Sequence, residues 1–285
     1  MTPADLPPEP AGSATPARED GAHADRQIDA LLALGELRVW SVIITVFGDS
    51  IQPRGGTVAA TTLAQILGRM GVRPEALRVA LHRLVRDGWL DRWQEGRRSF
   101  YRLSKSGVAR FAPATRRIYA EGPALTGPWR LCVAEPGAPE ANARAPSDDA
   151  ADGVVVLAPG LHLAPAGSAP PLPGWLAVDG AVAGFPAWAQ SAIAPAPLCA
   201  EYARLETVLA GLDADLAEGP APAPLDAIVL RSLVVHRWRR LLLRHGDLPE
   251  AFFPSTWRGE ACRGHVRRLH SALSGPADTW LDGTE

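Results

Sequence analysis

A chain of 285 residues with 47% hydrophobic content can bury a substantial core, most readily divided among two or three domains, and its formal charge of −2 hides a strong asymmetry. Residues 36–120 carry 15 Lys and Arg against 6 Asp and Glu, whereas residues 121–225 carry 3 against 12. A basic module suited to a polyanion is therefore joined to an acidic one with a different task. No apolar run approaches the roughly 18 residues of a membrane span. The three widely spaced cysteines, Cys132, Cys199 and Cys262, suit reduced thiols in the cytoplasm and not a disulfide framework; the expectation is a cytoplasmic protein with no membrane partner.

In chain order, residues 1–35 read as a disordered tail: their start is rich in Pro, Ala and acids and lacks the basic start and apolar centre of a secretory signal. The segment RVWSVIITVFGDS then predicts a core helix, with Val39, Trp40, Ile43, Ile44, Val46 and Phe47 at helical spacing. GDSIQPRGG stops it, since Pro53 and the Gly55-Gly56 pair suit a turn. TTLAQILGRMG predicts a short amphipathic helix capped by Thr61 or Thr62, with Leu63, Ile66 and Leu67 inward and Gly71 at its end. In RPEALRVALHRLVRDG, Pro74 opens the next helix and Gly88 closes it.

That helix divides on a wheel. Leu77, Ala80, Leu81, Leu84 and Val85 fall on one side, Glu75, Arg78, Val79, His82, Arg83 and Arg86 on the other. Arginine offers a bidentate fork to guanine edges and phosphate oxygens, so the second side is built to enter a groove. WLDRW and SFYRL, separated by QEGRR, predict a hairpin whose tip carries Arg97 and Arg98, placed to lie along a phosphate backbone. Trp89, Trp93, Phe100 and Tyr101 alternate beside the helix and read as core more than as base-stacking platforms. A last helix, about Lys105 to Tyr119, carries Arg110, Arg116 and Arg117 and leads out of the module. This order of elements is that of a winged helix-turn-helix at 36–120. The candidate DNA-binding residues are Arg54, Arg73, Arg78, Val79, His82, Arg83, Arg86, Arg97 and Arg98.

Residues 122–197 are dense in Pro, Gly and Ala, with two strand candidates, WRLCVAE and GVVVLAPGLHLAP, and a loop at ARAPSDDAADG. Beyond them LCAEYARLETVLAGLDADLAEG predicts an acidic amphipathic helix with Tyr202, Leu205, Val208, Leu209 and Leu212 inward. LDAIVLRSLVVHRWRRLLLRHGD predicts a long apolar helix whose second half crowds Arg237, Arg239, Arg240 and Arg244. Such a cluster either binds an anion such as a CoA phosphate or complements the negative end of the helix dipole.

VFGDSIQPRGG, LRVALHRLVRDGWLDRWQEGRRSFYRLSKSG and TRRIYA, in this order, resemble the amino-terminal domain of the PaaX family of bacterial repressors. LVVHRWRRLLLRHGDLPEAFFPSTWRGEAC resembles that family's carboxy-terminal helical domain, while the middle, from GPWRLCV, fits its small αβ domain loosely. The resemblance implies an α+β protein: a winged helix-turn-helix, a central ferredoxin-like αβ dimerisation domain at 121–200 and a helical domain at 201–285. It also implies a homodimeric transcriptional repressor that binds a double-stranded DNA operator. The family is released from DNA by an aryl-CoA thioester typified by phenylacetyl-CoA, in keeping with phenylacetic acid catabolism. The candidate residues for such an effector are Arg237, Arg239, Arg240, Trp238 and Trp257, with Phe252 and Phe253 as nearby aromatic surface.

No catalytic motif, Walker-type loop or paired CxxC appears, and Glu135 is the single candidate for a metal-holding acid at the end of the first central strand, so an enzyme has no positive support. Cys262, His265 and His270 form too small a set for a metal site, and no cofactor or metal is expected. His82 has no partner at catalytic spacing. The alternatives are a non-sensing DNA-architectural or protein-interaction module and, less favoured, a nucleic-acid-processing enzyme.

Overall fold

The computed structural model describes residues 16–123, 127–137, 154–168 and 174–284. Its axis is helix α8 (Pro224–Leu242), whose LDAIVLRSLVVHRW sequence is buried nearly all round instead of along one stripe. Around it pack α1 (Pro16–Ala33), α2 (Val39–Val46), α3 (Ala60–Arg69), α5 (Lys105–Ile118), α7 (Ala196–Glu218) and α9 (Gly259–Asp282). The fold is α+β, with two small antiparallel sheets set against this helical mass. No helix of the described residues is long and apolar enough to cross a membrane.

Helix α1 corrects the expectation of a disordered tail at 1–35. Ala24, Gln27, Ile28 and Leu31 recur at helical spacing and are buried, against α8 and α7. Each fully buried Ile or Leu contributes about 1.5–3 kcal/mol, which outweighs the disorder suggested by an Ala-, Pro- and acid-rich composition. Residues 1–15 of the expected tail lie outside the described residues.

Helices α2, α3 and α4 (Pro74–Arg86) follow as the apolar spacing requires, with Pro74 in the first turn of α4. Two details differ. Trp40 is 37% exposed and not part of the core face. Neither Thr61 nor Thr62 caps α3: the cap position is Ala59, without a side-chain bond, and Thr62 is buried. The end of α2 widens into a π-helical turn at Phe47–Ile51, where Gly48 permits the ring of Phe111 on α5 to lie so close that an added Cβ would sit 1.6 Å from it.

The first sheet has three strands, not two. β1 (Thr57–Ala59) pairs with β3 (Arg98–Leu103), which pairs with β2 (Leu90–Glu95), giving the order β1-β3-β2. The β2–β3 register places Glu95 opposite Arg98 and Trp93 opposite Phe100. Their connection is the two-residue turn Gly96-Arg97, with Gly96 at φ +59°, a conformation glycine adopts without strain. The second sheet contains β4 (Trp129–Val133), β5 (Val155–Ala158), β6 (Leu161–Pro165) and β7 (Leu176–Gly180) in the order β5-β6-β4-β7, all neighbours antiparallel. β7 lies in the GWLAVDG segment, a strand not expected from the Pro- and Gly-rich composition. The loop expected at ARAPSDDAADG lies outside the described residues. A short helix, α6 (Ala187–Ile193), leads to α7.

Candidate nucleic-acid interface

The apolar side of α4 holds it in place: Leu77, Ala80, Leu81 and Leu84 are buried against the preceding helices and the sheet. The other side is free. Arg73, Arg78, Val79, His82, Arg83 and Arg86 are all exposed, Val79 at 67%. A valine so exposed between arginines has no packing role in this chain. Arg97 and Arg98 at the hairpin are exposed as well, with Arg92 and Arg102 on its flanking strands.

The face carries its own weak counter-charge. Asp87 accepts from Arg86 Nε at 3.1 Å and from Arg83 Nε at 3.4 Å. The Arg86 hydrogen bond, joined by its charge and by Arg83, holds the carboxyl below the usual range despite some desolvation. Arg102 pairs with Asp91 at 3.2 Å and lies over the Trp93 ring, which stacks on Phe100. Trp93 donates to Glu95 at 2.9 Å, and Tyr101 is buried. The four aromatics are thus buried or half-buried support for the hairpin.

Arg54 stands apart from this set. It pairs with Asp278, at 3.7 Å, and with Asp282, both on α9. It lines, with Arg98, Phe100 and Leu281, a cleft of about 370 Å³ between the sheet and the end of α9. The other eight candidates are exposed on α4, just before it or at the hairpin, whereas Arg54 is half-buried and engaged with carboxylates.

Behind the face lies a buried polar hub that the sequence reading missed. Asp49, in the π-helical turn, is fully enclosed. Arg231 of α8 donates to its carboxylate at 2.7 Å and to its carbonyl at 3.0 Å, Tyr119 donates at 2.6 Å, Ser50 at 2.9 Å, and His270 Nε2 lies 2.9 Å away. Burial alone would raise its pKa. The His270 hydrogen bond, the Arg231 charge and the Tyr119 hydroxyl outweigh it and hold Asp49 at about 2. Arg231 also reaches Ser274 and Asp278. On α9, His270, Ser274, Asp278 and Asp282 recur every four residues and form one polar stripe, which meets Asp49, Arg231 and Arg54 in turn.

The RRIY segment is the second tie. Arg117 donates to the carbonyls of Leu242 and His245 at the end of α8, at 2.9 and 2.8 Å. The Ile118 carbonyl accepts from Trp238, Tyr119 reaches Asp49, and the Ala120 carbonyl accepts from Arg263. α5 therefore does not simply lead out of the basic module; its end is stitched to α8 and α9. The FGDS and RRIY motifs were visible signals and carried the family resemblance, but the first lay where a helix was read as giving way to a turn and the second was read as the basic end of an exit helix, not as a tie to α8 and α9.

The candidate effector set does not converge. Trp238 is 1% exposed and Trp257 is buried, stacked on Phe253 and tilted against Tyr202. Arg237 donates to the carbonyls of Leu31, Leu32 and Gly35 and so caps α1. Arg239 donates to the hydroxyls of Thr45 and Ser41, at 3.3 and 3.4 Å. Of the set, Arg240 alone is exposed. Burial, with the charge of Arg240, lowers both Arg237 and Arg239 to about 10.

Cys262, His265 and His270, read in the sequence as too small a set for a metal site, lie apart in their partners. Cys262 donates to the Tyr202 carbonyl, His265 pairs with Asp213 and His270 with Asp49. Glu135 is exposed at the end of β4. Among the described residues no group of three such side chains is placed to hold a metal.

These features define a class: an α+β protein in which a basic helix–hairpin unit is tied through a buried carboxylate to a helical layer. The family model described as PaaX-like protein matches residues 38–107, and that described as PaaX-like protein C-terminal domain matches residues 196–283. The matched segments contain α4, the hairpin, Asp49, Arg231 and the α9 stripe. The chain belongs to the PaaX-like family. It is similar to the transcriptional repressor PaaX of Escherichia coli (strain K12), with 43% identity over 96 residues, 33% of this chain and 30% of that protein. The match thus spans less than a third of the curated relative. Among solved structures, the uncharacterized protein Rv0674 from Mycobacterium tuberculosis is similar at 21% identity, covering 86% of this chain and 99% of that one with a TM-score of 0.49. That likeness is too slight to carry an argument.

Proposed function

We propose that this protein is a DNA-binding transcriptional repressor. The observation that carries the reading is the exposed Arg78–Val79–His82–Arg83–Arg86 side of α4 beside the Arg97-Arg98 hairpin tip. Helices α2 to α4 followed by β2 and β3, with β1 closing the sheet, are the element order of a winged helix-turn-helix, with α4 as the reading helix and the hairpin as the wing. In this reading Arg78, Val79, His82, Arg83 and Arg86 meet base edges and nearby phosphates, and Arg73, Arg97 and Arg98 meet backbone. Arg54 joins them only when released from α9. The winged helix comprises 36–120, a central domain 121–200 and a helical domain 201–285. The repressor name of the E. coli relative supports the regulatory role.

The second sheet supports a ferredoxin-like central domain, since the order β5-β6-β4-β7 with antiparallel neighbours is the strand arrangement of that fold. One face of this sheet supports homodimerisation. Leu131, Val178 and Trp188 are exposed along an apolar groove of about 460 Å³, with Leu176 exposed on the same strand as Val178, a surface that favours burial against a second copy. Two protomers would then address a palindromic operator. Release by an acyl-CoA thioester such as phenylacetyl-CoA completes the proposal, with the Asp49 hub as the mechanical link between helical domain and reading helix.

Footprinting on the DNA upstream of the protein's own gene region tests the reading. A short protected site that survives competitor DNA, and that fades when phenylacetyl-CoA is added, is the expected result. Uniform coating of any duplex would instead indicate a non-sensing architectural protein.

A further inference from the structure

The outermost line of α4 runs through Glu75, Val79, His82 and Arg86, on the opposite side of the helix from the buried Leu77, Ala80, Leu81 and Leu84. Val79 is 67% exposed on that line, with Arg78 on one flank and Arg83 on the other. Ala76, one turn earlier, is also exposed and too short to shade it. Valine is a poor choice for a solvated position inside a helix. Its branched Cβ loses rotamer freedom against the preceding turn, and alanine there would favour the helix more. At such exposure packing offsets little of that cost, so the residue is explained by what approaches α4 from outside.

We propose that Val79 reads the C5-methyl group of a thymine on the floor of the major groove, and so fixes one base of the site this protein selects. The inference rests on the DNA-binding reading of α4 and assigns that face a base preference. With α4 in the groove, its outermost line approaches the base edges most closely, while the long side chains of Arg78 and Arg83 reach neighbouring edges and phosphates from either side. Those flanking cations supply the charge that draws a duplex onto this face. Among the groups that the base pairs present in the major groove, the thymine methyl is the apolar one. The valine methyls bury against it and both surfaces leave water. Over a purine the same side chain covers the N7 acceptor, and over cytosine the N4 amino group, with no hydrogen bond to replace the lost water. Val79 therefore discriminates twice, by contact with a methyl and by a penalty at the other bases. Glu75 and His82 on the same line carry hydrogen-bonding groups; Val79 has none with which to read anything else.

The test needs no operator known beforehand. The full chain selects duplexes from a random pool, and the enriched site is remade with uracil in place of thymine, one position at a time, which deletes the methyl and nothing else. At one position affinity should fall about fourfold, the worth of one buried methyl. At that same position, 5-methylcytosine paired with guanine should bind more tightly than cytosine does. In V79A, thymine and uracil should bind alike there, whereas V79T, which keeps one side-chain methyl, should still prefer thymine. V79A should unfold in urea no earlier than the parent, since alanine suits an exposed helical position better, so its loss of discrimination is not a loss of folding. The proposal is overturned if the parent tolerates uracil at every position, if the sensitive position stays equally sensitive in V79A, or if V79T loses the preference as V79A does. Failure to enrich any sequence would overturn the repressor reading and this inference with it; an enriched site indifferent to the methyl overturns this inference alone.

Discussion

Two arginine-rich regions of this molecule contrast. On α4 and at the hairpin tip, the guanidinium groups stand in solvent, Arg83 and Arg86 with the exposed Asp87 for company. Around α8 they are taken up by the structure: Arg231 by Asp49, Arg237 by the end of α1, Arg117 by the end of α8, Arg263 by Ala120 and the Trp238 ring. The same residue type thus does opposite jobs a few turns apart, and what separates them is the partner. A charge count marks where cations are concentrated; only partners show which of them remain free to meet a ligand.

The largest effect expected from breaking this contrast is at Asp49. Asp49→Asn keeps the shape but removes the charge, leaving Arg231 enclosed with only the partly exposed Asp278 opposite. Breaking one partner of a buried pair costs about 3–5 kcal/mol, to be read as a lower urea midpoint at unchanged slope. A loss below 1 kcal/mol would show that the hub is not the main tie between the basic unit and the helical layer.

The pH dependence of the same pair follows from its sign. Folding holds the Asp49 carboxyl at about 2 against an ordinary 3.8, so its stabilisation is fully present above pH 4 and is lost as pH falls through 2. The shift corresponds to about 2 kcal/mol. The stability difference between parent and Asp49→Asn should therefore be constant from pH 5 to 7 and shrink from pH 4 downward. A difference independent of pH throughout would assign the effect to packing.

The exposed region should behave the other way round. Arg78→Ala or Arg83→Ala should leave the urea midpoint within about 0.5 kcal/mol yet weaken operator binding by about 1–3 kcal/mol with relaxed base preference. Arg97→Ala should weaken specific and random duplex alike and flatten the salt slope. Equal losses on both kinds of DNA for Arg78 and Arg83 would remove α4 from base readout.

How much of this was legible in the sequence depended on range. The apolar spacing of Leu77, Ala80, Leu81 and Leu84 and the Gly96 turn are local patterns, so α4 and the hairpin were read with their exposed faces correctly assigned. α1 was missed because its apolar stripe makes sense only against α8, some 200 residues away. Asp49 was missed for the same reason: a carboxylate in a Gly- and Pro-rich segment reads as a surface turn until Tyr119, Arg231 and His270 arrive from three other helices. The arginines of HRWRR looked like an anion site because carbonyl acceptors at a distant helix end leave no mark in composition. β1 and β7 are short strands fixed by their neighbours, and propensity does not reveal them.

The smallest and sharpest test concerns Asp87, the one carboxylate paired with the exposed face of α4. It accepts from Arg83 and Arg86 with all three side chains between 39% and 66% exposed, where such pairs contribute only about 0–1 kcal/mol. At the carboxyl end of α4 its charge also opposes the helix dipole. Asp87→Asn therefore costs little stability, releases two guanidinium groups and removes a negative charge beside the expected phosphates. Duplex affinity should rise by about threefold at low salt, and the gain should fade as ionic strength shortens the Debye length. Arg110 donates to the Asp87 backbone carbonyl and is untouched by the change, so a fall in affinity would mean that the Asp87 carboxylate orients Arg83 and Arg86 for DNA instead of competing with it.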